Sequence, residues 1–169
     1  MTARCCPQCR STKIRLSPSR SIIDRGLNLL TIYFFRCQLC AHRFPAWLRR
    51  KVPPARRSYE RLPVLYPVWF RPASAAEESR SEEGLLLNLT IRGCRIRAQT
   101  DVPLGTCLTL EFQPSPYGLP ITVDGAVVRS RQSNIIGLRF VKLSRCEERR
   151  IGRVIDLYLQ DTQHELIPA

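Results

Sequence analysis

The sequence predicts a mainly β protein in two parts: a small cysteine-held module, then an antiparallel β-barrel with a C-terminal α-helix. Three observations predict it. Two Cys-x-x-Cys pairs, Cys6-Pro7-Gln8-Cys9 and Cys37-Gln38-Leu39-Cys40, stand in the front quarter of the 169 residues. From Leu62 onward, short runs rich in apolar residues recur at near-regular spacing between turn-forming residues. Such a series closes most simply as a barrel, which also removes exposed strand edges. Near the end, Ile151, Val154, Ile155, Tyr158 and Leu159 recur at the spacing of one helix face.

The cysteine pairs are separated by 27 residues. Zinc takes four tetrahedral ligands, and thiolates three apart on a tight turn place two sulfurs on one ion. Cys6, Cys9, Cys37 and Cys40 are therefore expected to hold a structural Zn2+. The run Leu27–Phe35 is strand-like, and Lys13–Leu16 is placed to pair with it, which makes residues 1–47 a zinc ribbon. The separation is longer than the usual spacing, and Arg10 and Ala41 follow the knuckles where glycine is common. A redox pair or metal-free thiols are the alternatives. Cys5 competes with Cys6 as a ligand by spacing, but the Cys-Pro-x-Cys form favours Cys6. His42, two residues beyond Cys40, is read as a surface histidine before it is read as a ligand. A module this small has little core, so metal would supply much of its folding free energy. Four thiolates also leave no open position for zinc catalysis.

Residues 48–61 form a basic, proline-bearing linker containing Arg49, Arg50, Lys51, Arg56, Arg57 and Arg61. Pro45, Pro53 and Pro54 keep most of the stretch Phe44–Arg57 out of a regular helix. The barrel and its helix occupy residues 62–169. Leu62–Arg71 is the first strand, where Pro63 and Pro67 call for an edge position or bulges. Ala73–Glu83 is a loop. Leu85–Leu87 and Cys94–Ala98 flank a polar loop, Asn88–Gly93. Thr106–Gln113, Ile121–Ser130 and Ile135–Val141 are further strands, with a turn at Pro114–Gly118 and a polar break at Gln132–Asn134. Ser144 and Glu147 form a capping box at the start of the final helix. Cys94, Cys107 and Cys146 stand singly and read as buried small hydrophobes.

Charge singles out the front of the chain. The net charge is +13, and residues 1–61 hold fourteen Lys/Arg against two acids, Asp24 and Glu60, while the rest is nearly balanced. Such a front end suits a nucleotide, a polyanion or an acidic protein surface. Arg57 and Arg61, spaced i, i+4, offer two planar forks that grip phosphate or the O6/N7 edge of guanine. Asn88, Thr90 and Gly93 supply an amide, a hydroxyl and a residue that admits close backbone approach. The two segments together hold the ingredients of a site for an anionic, purine-bearing ligand.

The pattern Arg-x-x-x-Arg followed by Asn-x-Thr-x-x-Gly on a β-rich domain resembles the PilZ family, receptors for the bacterial second messenger cyclic di-GMP. The likeness runs from about Arg56 to Tyr158. It includes Arg61-Leu62-Pro63-Val64 with Pro67-Val68, and Ile136-Gly137-Leu138-Arg139-Phe140 as the closing-strand signature. Thr90 stands where the family usually has Ser, keeping the hydroxyl and adding a methyl that narrows its rotamers. The resemblance implies a PilZ-like barrel whose arginine arm closes over cyclic di-GMP against the loop. Arg57 and Arg61 would meet guanine edges and phosphate, Arg56 a further phosphate, and Asn88, Thr90 and Gly93 the opposite side. The linker and ribbon would pass the signal on.

Two other readings fit the sequence: a nucleic-acid-binding zinc-ribbon protein, and a protein-interaction adaptor whose barrel binds no nucleotide. No enzyme is expected, because neither histidine stands in an acid–hydroxyl constellation. Met1–Cys6 leads into no apolar signal region, and Leu27–Phe35 is too short to span a bilayer, so a reducing cytoplasmic setting is expected.

Overall fold

A computed structural model describes residues 5–19, 21–48, 53, 57–74 and 81–164. The chain forms two compact units, Met1–Glu60 and Arg61–Ala169.

The first unit contains β1 (Ile14–Leu16), α1 (Ile22–Leu29), β2 (Ile32–Cys37) and β3 (Arg43–Trp47). Its sheet has the order β1-β2-β3, with Ile14 opposite Cys37 and Phe35 opposite Phe44. The strand expected over Leu27–Phe35 begins only at Ile32, because Leu27–Leu29 complete a helix. Two local features explain the difference. Ser21 and Asp24 form a reciprocal capping box, with Asp24 N donating to Ser21 Oγ at 3.1 Å and Ser21 N to Asp24 Oδ2 at 3.3 Å. Thr31 then takes φ 61°, which ends the helix before the strand starts. Pro45 is exposed on β3, an edge strand, where a missing donor costs little.

Helix α1 is turned inside out. Asp24 is only 4% exposed and its Oδ2 accepts from Arg43 Nη2 at 2.7 Å, while Ile22 and Leu29 are 85% and 75% exposed. The unit has almost no apolar core to offer such a helix. Its buried cluster is Cys6, Cys37 and Phe44, with Ile14, Phe35, Leu39 and Cys40 against it.

The second unit is a closed antiparallel barrel in the order β4-β5-β6-β9-β8-β7. The strands are β4 (Leu62–Pro72), β5 (Glu82–Thr90), β6 (Gly93–Arg97), β7 (Cys107–Phe112), β8 (Ile121–Gln132) and β9 (Ile135–Lys142). Alternate residues point inward, and Val68, Phe70, Leu86, Leu89, Ile96, Leu110, Phe112, Val123 and Ile136 fill the interior. The β4–β7 pairing covers Val68–Pro72, so Pro63 and Pro67 precede it and face no β7 partner in the ladder, an edge-like position inside a closed barrel. Both are exposed, and the β4–β5 register shifts between Pro63 and Tyr66, so a bulge accommodates them. The polar break before β9 shrinks to Ser133 and Asn134, with Ser133 at φ 52°.

Helix α2 (Arg145–His164) starts where Glu147 N donates to Ser144 Oγ at 3.1 Å. It packs on β8 and β5, burying Ile151 and Ile155. Of the three single cysteines only Cys94 is buried. Cys107 is half-buried, and Cys146 is exposed in the first turn of α2, contrary to its expected burial. No helix among the described residues is long and apolar enough to cross a membrane.

Candidate functional site

Two knuckles bring Cys6, Cys9, Cys37 and Cys40 together. The first precedes β1 and the second is the turn between β2 and β3. All four sulfurs lie within 4.8 Å of one another, with Cys6 and Cys40 at 3.7 Å and Cys9 and Cys37 at 3.5 Å. A tetrahedron with zinc–sulfur bonds of about 2.3 Å has edges of about 3.8 Å, so this donor set fits the ion. Arg10 and Ala41, the residues directly after the knuckles, take φ 59° and 60°. That is the left-handed turn glycine usually supplies, here adopted by residues with a Cβ. Backbone N–H groups point at the sulfurs, as in Leu39 N to Cys37 Sγ at 3.4 Å.

Burial opposes ionisation of Cys6, but the N–H groups of Cys9 and Gln8 outweigh it and hold the thiol below its ordinary value. Burial pushes Cys37 up to about 11 and raises Cys40 as well. A central dication would hold all four as thiolates. Cys5 is exposed and outside this group, and His42 stacks on Phe44 at 6.0 Å instead of joining it.

The stretch Asn88–Gly93 is a tight hairpin between strands, not a loop. Asn88 and Thr90 belong to β5 and Gly93 to β6, leaving Ile91 and Arg92 as the turn. The apolar residues explain it, since Leu89 and Ile91 are almost fully buried and draw the segment into the barrel wall. Thr90 Oγ1 donates to Gly93 O at 3.0 Å and accepts from Arg92 N at 3.2 Å. Gly93 is itself buried. A Cβ there would lie 2.2 Å from Leu138 O, so the close approach that requires glycine is that of β9. Asn88 is half-buried.

Strand register adds cations that motif reasoning missed. Arg95 stands opposite Asn88, and Arg139 opposite Gly93. Both alternate with buried neighbours (Cys94 and Ile96, Leu138 and Phe140), which turns them to the outer surface. The signal was present in Cys94-Arg95-Ile96-Arg97 and Leu138-Arg139-Phe140, but only pairing shows which arginine meets the hairpin.

Of the arm, Arg57 and Arg61 are exposed, and Arg56 lies outside the described residues. Leu62 pairs with Leu89 and Pro63 with Asn88, so the chain at Arg61 enters the barrel abreast of Thr90. Arg57 is four residues earlier, hence at most about 14 Å along the chain. A hollow of about 960 Å³ lies at the other end of β5 and β6, lined by Glu82, Glu83, Gly84, Arg97 and others. Its paired carboxylates suit an anion poorly, and it includes none of Asn88, Thr90 and Gly93.

A three-stranded sheet with a four-cysteine cluster, followed by a closed six-stranded barrel with a basic hairpin face, defines the architecture. Residues 55–157, more than half of the chain, match the PilZ domain, and the chain belongs to the PilZ domain family. No curated protein matches it. Several solved structures share the fold. YcgR from Escherichia coli in complex with cyclic di-GMP is 17% identical, with TM-score 0.51 over 90% of this chain and 76% of that one. The isolated YcgR PilZ domain with cyclic di-GMP gives 17% and 0.50 over 66% and 97%. The Bacillus subtilis inhibitor of motility MotI/DgrA gives 15% and 0.53 over 80% and 70%. At such identities the likeness is one of fold.

Proposed function

We propose that this protein is a cyclic di-GMP receptor in which Arg57, Arg61 and, as a further phosphate contact, Arg56 act with Asn88, Thr90 and the Gly93 hairpin. The observation that carries this reading is the pairing of Leu62 with Leu89 and Pro63 with Asn88, which brings the end of the arginine arm into line with Thr90. Each guanidinium suits the two acceptors on a guanine edge, a phosphate, or the purine face. The hairpin offers the Asn88 amide and Thr90 hydroxyl, with Arg95 and Arg139 as additional positive charge beside them. An arm folding over the hairpin would exclude water from the bound ligand. The ribbon binds one structural zinc through Cys6, Cys9, Cys37 and Cys40, and the protein acts as a sensor rather than a catalyst in the cytoplasm. Residues 1–47, 48–61 and 62–169 then serve as ribbon, arm-bearing linker and ligand-binding barrel.

Titration calorimetry of the full chain with cyclic di-GMP tests the reading. Micromolar or tighter binding that Arg57→Ala and Arg61→Ala each abolish is the expected result. Absence of heat at high protein concentration refutes it.

A second reading has its own observation. Both acids of the first unit are engaged in ion pairs, Asp24 with Arg43 at 2.7 Å and Glu60 with Arg15 at 3.2 Å. Residues 1–60 carry thirteen Lys/Arg against these two acids, an excess of positive charge that suits a polyanion, and nucleic acid is one such partner. Its affinity would fall steeply with salt, whereas a dianionic nucleotide releases few counterions and responds weakly.

A further inference from the structure

The family pattern Arg-x-x-x-Arg leaves its three middle residues unspecified. In this chain all three are held by the ribbon. Gln38, inside the second cysteine knuckle, is a polar side chain only 5% exposed. Its Oε1 accepts from Glu60 N at 2.8 Å, and its Nε2 donates to Ser58 O at 3.1 Å and to Arg36 O at 3.1 Å. The amide thus stands in for the peptide group of a neighbouring strand, binding the backbone on both sides of Tyr59. Arg36 Nη1 donates to the Tyr59 hydroxyl at 2.8 Å, and its guanidinium lies 5.5 Å from the ring centroid. Arg15 pairs with the Glu60 carboxylate. The knuckle is in turn tied to the start of the sheet, where Gln38 N donates to Lys13 O at 2.9 Å. None of the Gln38 bonds involves the guanidinium of Arg57 or Arg61, and both of those residues are exposed.

We propose that Gln38 is a positioning residue for ligand binding. The second knuckle fixes Ser58, Tyr59 and Glu60 so that the two flanking arginines are presented already ordered. This rests on the receptor reading above and deepens it. Ordering three backbone residues is a substantial entropic cost, and a ligand that meets an arm already fixed is spared it. Because the Gln38 bonds are to the backbone of Ser58 and Glu60, ligand binding at the arginines need not break them. The ribbon is then a metal-dependent mount for the arm, and zinc occupancy and dinucleotide affinity are linked.

The test uses the full-length, zinc-loaded chain with Gln38→Ala, and Tyr59→Ala as a second variant that leaves the knuckle untouched. Calorimetry with cyclic di-GMP should show about tenfold weaker binding for Gln38→Ala, with unchanged stoichiometry and zinc content. Trypsin should cut after Arg57 and Arg61 several-fold faster in the variant, and saturating ligand should restore protection. If Gln38→Ala loses zinc, Tyr59→Ala decides, with the same weakening and the same faster cleavage expected. Affinity equal to or tighter than wild type in a zinc-loaded variant overturns the proposal, the tighter result meaning that the ribbon sequesters the arm. Failure of the wild-type protein to bind cyclic di-GMP refutes the receptor reading and this inference with it. That outcome is distinct from failure of the positioning role alone, in which wild type and variant bind alike.

Discussion

Gly93→Ala separates a glycine needed by a ligand from a glycine needed by the fold. The motif suggests the first, and the packing of β9 against β6 predicts the second. An added Cβ would meet Leu138 O at 2.2 Å and Arg139 Cα at 3.3 Å, both backbone atoms that no rotamer change can move. The contact must open by at least 0.8 Å to reach the 3.0 Å below which real Cβ contacts are essentially never seen. That displacement strains the adjacent bond from Phe140 N to Arg92 O, now 3.0 Å. Overpacking of this kind costs about 1–3 kcal/mol, and a weakened hydrogen bond adds about 1 kcal/mol. A loss of about 2–4 kcal/mol is large against the roughly 5–15 kcal/mol that holds a domain together. Urea unfolding in a Trp47→Phe background, where Trp69 on β4 reports the barrel, should show the midpoint lowered by about 1–2 M at ordinary m-values. A midpoint within about 0.3 M of the parent would refute the packing account and return Gly93 to a role in ligand approach.

Other outcomes follow from the first unit. Gly26→Ala should stabilise the ribbon by about 0.5–1 kcal/mol, since this α1 glycine has nothing within 4 Å of an added Cβ and Ala is the better helix former; thermal unfolding of the zinc-loaded protein reads it. Asp24→Ala should destabilise the ribbon by about 3 kcal/mol, because it strips a buried partner from Arg43 and removes half of the capping box; competition with a colorimetric chelator will show it as faster metal release. Chelation should liberate one zinc per chain and abolish the β1–β3 sheet while the barrel stays folded, as followed by circular dichroism and metal assay. Release of more or less than one ion would refute the four-sulfur site.

Much of the barrel was legible because its strands alternate and its core face is continuous. The closing helix was legible from Ser144, Glu147 and the spacing of Ile151 and Ile155. Errors arose where a local rule outweighed composition. The run Leu27–Phe35 is rich in strand formers, yet Ser21 and Asp24 nucleate a helix that consumes its first three residues. Asn88, Leu89 and Thr90 read as loop because polar residues predominate around them, but burial of Leu89 fixes them in β5. Arg95 and Arg139 could not be placed beside the hairpin from sequence, since strand register is a long-range property. The same limit hid Gln38, whose partners are 20 and 22 residues away and are held by backbone atoms that carry no sequence signal.

The ribbon's inverted helix and its engaged arm have a common cause. The small core around Cys6, Cys37 and Phe44 leaves Ile22, Ile23 and Leu29 of α1 exposed, so polar contacts take over the work of tertiary attachment. Asp24 fastens the helix through Arg43, and Gln38 fastens the arm through the backbone of Ser58 and Glu60. Hydrogen bonds and ion pairs of this kind are directional and modest in net energy, so they depend on a rigid frame to hold their geometry. In this unit the frame is the four-sulfur cluster that joins the first knuckle to the β2–β3 turn. Whatever loosens the cluster should therefore loosen α1 and the arm together, although neither touches the sulfurs through an apolar core. If the cluster holds zinc and the arm grips the ligand as proposed, that shared dependence links the two, where a larger hydrophobic domain would hold the arm regardless of metal.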